Sequence, residues 1–161
     1  MSDCIIVVDY AEKRFGEQVA LRDVSVSFEA GKIHGIIGRN GSGKTVLFKC
    51  IVGLMPLTSG SIQVNGRHIE TGKTVPDDIG AIIETPGFLP NCSGFRNLKF
   101  LATLRGRIKD AEIRKAMQQV GLDPESRKHV GKYSLGMRQR LGIAQAIMEH
   151  PKLLVLDEPM N

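Results

Sequence analysis

Eight consecutive residues, Gly38-Arg39-Asn40-Gly41-Ser42-Gly43-Lys44-Thr45, constrain this chain more than any other part of it. Their spacing is G-x-x-x-x-G-K-[ST]. An apolar run, Ile33–Ile37, enters them, and an apolar helix, predicted over Lys44–Gly53, leaves them. Glycines let the backbone turn so that successive N–H groups face one concave surface. The helix that follows adds the positive end of its dipole to the same surface. In such a cradle Lys44 bridges the β- and γ-phosphate oxygens of a bound nucleotide, and the Thr45 hydroxyl takes one position on Mg2+. A glycine-rich turn with a solvated lysine would use the same residue types. It would not need a strand on one side and a helix on the other.

A second feature fits the first. Leu153-Leu154-Val155-Leu156-Asp157-Glu158 is an apolar strand that ends in two carboxylates. Buried parallel strands deliver their last residues to the crevice where open α/β sheets bind ligands. Asp157 is therefore placed to reach the metal ion, and Glu158 to polarise an attacking water. Alone, the string would be an ordinary strand running into a polar turn. Beside a phosphate loop it reads as catalytic.

The rest of the chain organises around these two motifs. Ile5–Val8 is a short apolar run. Val24, Val26 and Phe28 alternate with Ser25 and Ser27 as a half-buried strand does, and Ser61–Val64 runs into the tight-turn pair Asn65–Gly66. From about Pro90 to Gly131 the pattern turns helical. Phe95, Leu98, Leu101 and Ala102 share one face, and Ile113, Ala116, Met117 and Val120 another. Asp110 is the expected N-cap of the second of these helices and Gly121 its stop. A further helix, Gly136–Glu149, leads through Pro151 into the acidic strand. This order argues for an α/β layer with a parallel sheet. At 161 residues one domain is expected, spanning 1–161 with a helical subdomain at about 90–131.

No apolar run approaches the roughly 20 residues of a membrane-spanning helix. Met1–Val8 carries an acid and lacks the shape of a secretory leader. Cys4, Cys50 and Cys92 are odd in number and far apart, which suits a reducing compartment better than a disulfide framework. The net charge of +5 is spread along the chain without a dense basic block or interleaved aromatics, so a solvated surface with a few phosphate-binding residues accounts for it better than nucleic acid or an acidic membrane surface.

Between the helical region and the acidic strand lies Tyr133-Ser134-Leu135-Gly136-Met137-Arg138-Gln139-Arg140. Ser134 can cap the helix that follows, which makes another helix N-terminus fit to meet phosphate. The segment resembles the ABC signature, matching it at Ser134, Gly136, Gln139 and Arg140 and departing at Tyr133, Leu135 and Met137. The resemblance implies a P-loop NTPase sheet with an N-terminal antiparallel β subdomain and an inserted helical subdomain. It also implies a head-to-tail dimer, homomeric or heteromeric, in which Ser134 and Gly136 meet the γ-phosphate of ATP held by the partner. Two more residues follow from it. Phe15 stands where the family stacks an aromatic on adenine, although a core phenylalanine is the competing reading. Glu84, in Ile82-Ile83-Glu84-Thr85-Pro86-Gly87-Phe88, replaces the usual glutamine that touches Mg2+ and the attacking water. With the form of the signature, this is similar to the bacitracin- and lantibiotic-type exporter subgroup.

The implied protein is an ATPase subunit at the inner, cytoplasmic face of the cell membrane, driving export through a separate membrane subunit. The family pattern continues past Asn161 into a D-loop and a switch histidine, so the resemblance implies a domain incomplete at its C-terminus. His34, His68, His129 and His150 all lie upstream of that point. A non-catalytic ATP-binding module and a soluble ABC ATPase outside transport are the alternatives. A guanine-binding N-K-x-D motif is absent from the sequence.

Overall fold

The computed structural model describes residues 3–74 and 76–158. They divide into two compact units, one running to Asp77 and the other starting at Asp78.

The first unit is built on a long hairpin, β1 (Cys4–Phe15) and β2 (Gln18–Glu29). Helix α1 (Lys44–Ile51), β3 (Ser59–Val64) and β4 (Arg67–His68) follow, and the antiparallel sheet has the order β2–β1–β3–β4. In β2 the alternation at Val24, Val26 and Phe28 carries into burial as expected, with Ser25 and Ser27 outward. Strand β1 is far longer than the Ile5–Val8 run because a bulge at Tyr10, whose φ is 46°, breaks the two-residue period. Asn65 and Gly66, at φ 51° and 73°, make the tight β3–β4 turn. Ile6, Val8, Leu21, Ile62 and Val64 are buried between the sheet and α1, together with Leu47 and Ile51.

One expectation fails here. Residues 33–39 form no strand, and Ile33 and Ile37 are fully exposed. A parallel strand exists only where neighbouring strands accept its hydrogen bonds, and the sheet of this unit is antiparallel throughout.

The second unit begins with β5 (Ile79–Ile82) and continues through α2 (Gly94–Arg105), α3 (Asp110–Gln119), a short 3-10 turn at Val130–Lys132 and α4 (Leu135–Ile147) to β6 (Leu153–Leu156). Strands β5 and β6 pair in parallel, joined by the helical crossover. Leu98 and Ala102 from α2, Ile113, Ala116 and Met117 from α3, and Leu141, Ala144 and Met148 from the α4 segment form one core, closed by Val130 and Tyr133. Phe95, Leu101 and Val120 pack on its margin, so the two helical faces read from the sequence are the buried ones. Asp110 is not the cap of α3. The Lys109 N–H is taken by the Glu112 carboxylate at 3.0 Å, and Asp110 pairs with Lys99 at 3.0 Å. Glutamate at the third helical position reaches back to that N–H, which leaves the first residue free for another partner. Gly121, at φ 75°, ends the helix as expected.

Candidate functional site

In the first unit the phosphate loop is shaped by its glycines, each for a different reason. Gly43 has φ 89°, and a Cβ there would come closer than 3 Å to the Ala20 carbonyl oxygen of β2. Only glycine lets the loop lie this close to the sheet. Gly41 has φ 79° with open space around it, so its requirement is conformational alone. At Gly38 a Cβ would stand 2.5 Å from Ser42 Oγ. The Ser42 N–H donates to the Arg39 carbonyl at 3.1 Å and closes the turn.

The Lys44 ammonium folds back over this loop, donating to the Gly38 carbonyl at 2.6 Å and the Arg39 carbonyl at 3.0 Å. Two backbone carbonyls of the loop thereby hold the ammonium beside the residues that would meet phosphate. Thr45 sits in the first turn of α1. No acidic residue occurs between Glu29 and Glu70, and this segment carries Lys32, Arg39, Lys44, Lys49 and Arg67, of which Lys32 is paired with Glu29 and Arg67 with Asp77. A polyanion is drawn to such a segment. Phe15 lies at the tip of the β1–β2 hairpin, 46 % exposed, with the Lys13 ammonium 5.1 Å from its ring centre. It is not a core residue. Its ring is available for stacking, on the same hairpin that Gly43 rests against.

In the second unit three carboxylates leave the sheet at one edge. The parallel register pairs Ile82 with Leu156, and the Asp157 N–H donates to the Ile82 carbonyl at 2.8 Å. Glu84 and Glu158 therefore stand two residues past a paired position on neighbouring strands. Asp157 is buried to 9 % exposure, while Glu84 and Glu158 are exposed. Both exposed glutamates have left-handed backbones, φ 63° and 45°. For a residue with a side chain this costs of order 1–3 kcal/mol, and it clusters at ligand sites.

The signature segment lies in the same unit. Ser134 caps α4, its hydroxyl accepting from the Met137 N–H at 3.2 Å. A Cβ on Gly136 would touch nothing within 4 Å, so this glycine leaves the helix start bare rather than relieving a clash. Tyr133 is buried ahead of it. Burial raises its pKa above the ordinary tyrosine value, a hydrogen bond with the Gly94 backbone opposes the rise, and the Asp123 charge adds to it. Among the described residues, no three His, Cys, Asp or Glu side chains converge on a metal position. Mg2+ suits this arrangement, since it is commonly held by one or two protein oxygens and the substrate's phosphates. Asp157 and Glu84 are the oxygen donors of that type in this unit.

Two residues of this region were not singled out by sequence. Asn97, 4 % exposed, accepts from the Leu89 N–H at 2.7 Å and donates to the Leu89 and Ser93 carbonyls at 3.1 and 3.0 Å. It ties the loop after Glu84 to α2. Gly142, inside α4, lets Pro86 approach the helix. A polar residue on the buried side of α2 was the only signal for the first; the second had none.

Comparison with known proteins identifies the family and the fold. The family described as ABC transporter matches residues 21–161. The bacitracin transport ATP-binding protein BcrA of Enterococcus faecalis is 44% identical over 158 residues, covering 98% of this chain and 51% of that protein. The lantibiotic transport ATP-binding protein SrtF of Streptococcus pyogenes is 38% identical, covering 98% of this chain and 67% of its own. The chain thus spans about half the length of the BcrA relative and two thirds of SrtF. A nucleotide-free ATP-binding cassette from an ABC transporter superposes with a TM-score of 0.83 at 26% identity, over 98% of this chain and 70% of that one. A dimeric cassette bound to ADP and Pi shares the fold at the same TM-score and 20% identity, over 96% of this chain and 74% of that one. The fold is that of the P-loop cassette, with an antiparallel β portion, a helical portion and a parallel strand pair, and the chain belongs to the ABC transporter ATP-binding family.

Proposed function

We infer that this chain is the nucleotide-handling part of an ATPase that drives export of peptide antibiotics through a separate membrane subunit. The observation that carries this reading is the phosphate loop, in which Gly43 is pressed against β2 and the Lys44 ammonium is held by the Gly38 and Arg39 carbonyls. Lys44 receives the β- and γ-phosphates of ATP, Gly38–Gly43 offer backbone N–H groups, and Phe15 stacks on the adenine. The Thr45 hydroxyl, Asp157 and Glu84 would supply oxygen ligands to Mg2+, which would neutralise charge on the phosphates. Glu158 polarises the water that attacks the γ-phosphate. Ser134 and Gly136 close on ATP bound by a second cassette in a head-to-tail dimer. The bacitracin and lantibiotic names of the relatives supply the cargo class, and Glu84 with Thr85-Pro86-Gly87-Phe88 the docking loop for the membrane subunit. Among the described residues no helix is long and apolar enough to cross a membrane, and the reading places the chain at the inner membrane face.

The test of the chemistry is Glu158→Gln in the protein assembled with its membrane subunit. Turnover should fall by about 100-fold or more while Mg-ATP affinity stays. Unchanged turnover would remove Glu158 from the reaction. A second reading, ATP binding with little turnover by this chain alone, is favoured by the unpaired, exposed stretch 33–39. The isolated chain should then turn over well below about 1 s⁻¹.

A further inference from the structure

The one glycine inside α4 that meets another element's side chain is Gly142. It is fully enclosed, and a Cβ there would lie 2.9 Å from Pro86 Cγ and 3.7 Å from Ile82 Cδ1. Glycine in a helix interior is unfavourable relative to alanine, so nothing in the helix itself asks for it. Its contact does. Pro86 is two residues beyond Glu84, and beyond a change of ring pucker it yields only by moving the loop backbone. One turn further along the same face of α4, the helix backbone at Ala146 lies so close to Gly80 of β5 that a Cβ on Gly80 would again fall inside 3 Å. Helix α4 therefore rests on β5 and on the loop after β5 at two points where side chains are reduced to nothing. The far end of that loop is fixed by Asn97, through its bonds to Leu89 and Ser93. Between these ends Pro86 is seated on α4 at Gly142, and Phe88 packs against the helical core.

We propose that Gly142 is a positioning residue: by seating Pro86 directly on α4, it makes the Glu84 loop and the helix that begins at Ser134 move as one body. Gly142 lies two turns along from the Ser134 cap. A shift of the α4 start is then transmitted through the Gly142–Pro86 contact to Glu84, and a displacement of the loop is transmitted back. The packing stands on geometry alone. Its consequence for turnover rests on the roles given above to Glu84 and Ser134.

The experiment is a size-compensation pair on the full chain, Gly142→Ala alone and Gly142→Ala with Pro86→Ala, read by hydrogen–deuterium exchange and by steady-state ATPase assays. Alanine favours the helix, so the single variant should keep α4 protection and thermal stability. Exchange in residues 85–89 should quicken, and kcat should fall by roughly five-fold or more with KM for ATP within about two-fold. Removing the proline ring should restore both loop protection and kcat. The proposal is overturned if Gly142→Ala leaves loop exchange at the wild-type level, or if the double variant is no better than the single. A loop that loosens and recovers with no change in kcat keeps the contact but refutes its part in turnover. If calorimetry shows that the wild-type chain binds ATP but its turnover is too slow to measure, the exchange arm alone decides. Failure to bind ATP would count against the nucleotide reading, not against this contact.

Discussion

Replacing each loop glycine by alanine separates the forces that shape the phosphate loop. At Gly43 two costs add. Alanine in a left-handed backbone at φ 89° costs about 1–2 kcal/mol, and a methyl group driven against the Ala20 carbonyl adds about 1–3 kcal/mol. That oxygen belongs to β2, which is hydrogen-bonded to β1 on either side of it, so the strand cannot move aside cheaply. Gly43→Ala should therefore lose about 2–5 kcal/mol of folding stability, or relieve the clash by shifting the loop. Gly41→Ala meets open space and should lose only the conformational part, about 1–2 kcal/mol. Gly38→Ala has no positive φ, and the Ser42 hydroxyl 2.5 Å away can rotate, so its cost should be under about 1 kcal/mol. Urea unfolding with a common slope measures the series, and titration with Mg-ATP measures the loop. If the loop shifts in Gly43→Ala, affinity should fall at least about ten-fold, and in either case Gly43 should be the most sensitive of the three. Equal losses at Gly43 and Gly41 would refute the claim that the loop leans on β2.

Two further outcomes follow from the second unit. Because burial raises the Tyr133 pKa in the folded state, the neutral phenol is the form that folding favours. The stability it contributes is present below the unfolded value near 10 and is lost as pH rises through the higher folded value, so Tyr133→Phe should flatten the alkaline loss of stability relative to wild type in a pH series of unfolding curves. Glu84→Ala, assayed with the membrane subunit, should lower transport or resistance to a peptide antibiotic more than it lowers basal hydrolysis. A strictly proportional fall would place Glu84 in the chemistry instead of in coupling.

What the sequence disclosed, and what it withheld, divides along the range of the interactions. The phosphate loop, the apolar run of β6 with Asp157, the Asn65–Gly66 turn and the buried faces of α2 and α3 are each legible as a spacing, although β6 is completed by β5 and the loop by its contact with β2. Ile33–Ile37 has the composition of a buried parallel strand, but composition cannot supply a hydrogen-bonding neighbour, and the stretch stays unpaired. Asp110 has the chemistry of a cap, yet Glu112 occupies the Lys109 N–H while Asp110 turns to Lys99, eleven residues away. The roles of Asn97 and Gly142 depend on segments brought together only by folding. Glu84 and Glu158 could be named from the sequence, but their shared sheet edge and left-handed backbones could not.

The central claim, that this loop binds the phosphates of ATP through Lys44, is tested most directly by calorimetric titration of Mg-ATP into the wild type and Lys44→Ala. The ammonium now held at 2.6 Å from the Gly38 carbonyl and 3.0 Å from the Arg39 carbonyl should face several phosphate oxygens in the complex. Its removal should weaken binding at least ten-fold, or about 1.4 kcal/mol, with the unfolding midpoint little changed. Affinity that is the same in both proteins would contradict the assignment of the phosphate loop and, with it, the ATPase reading built on it.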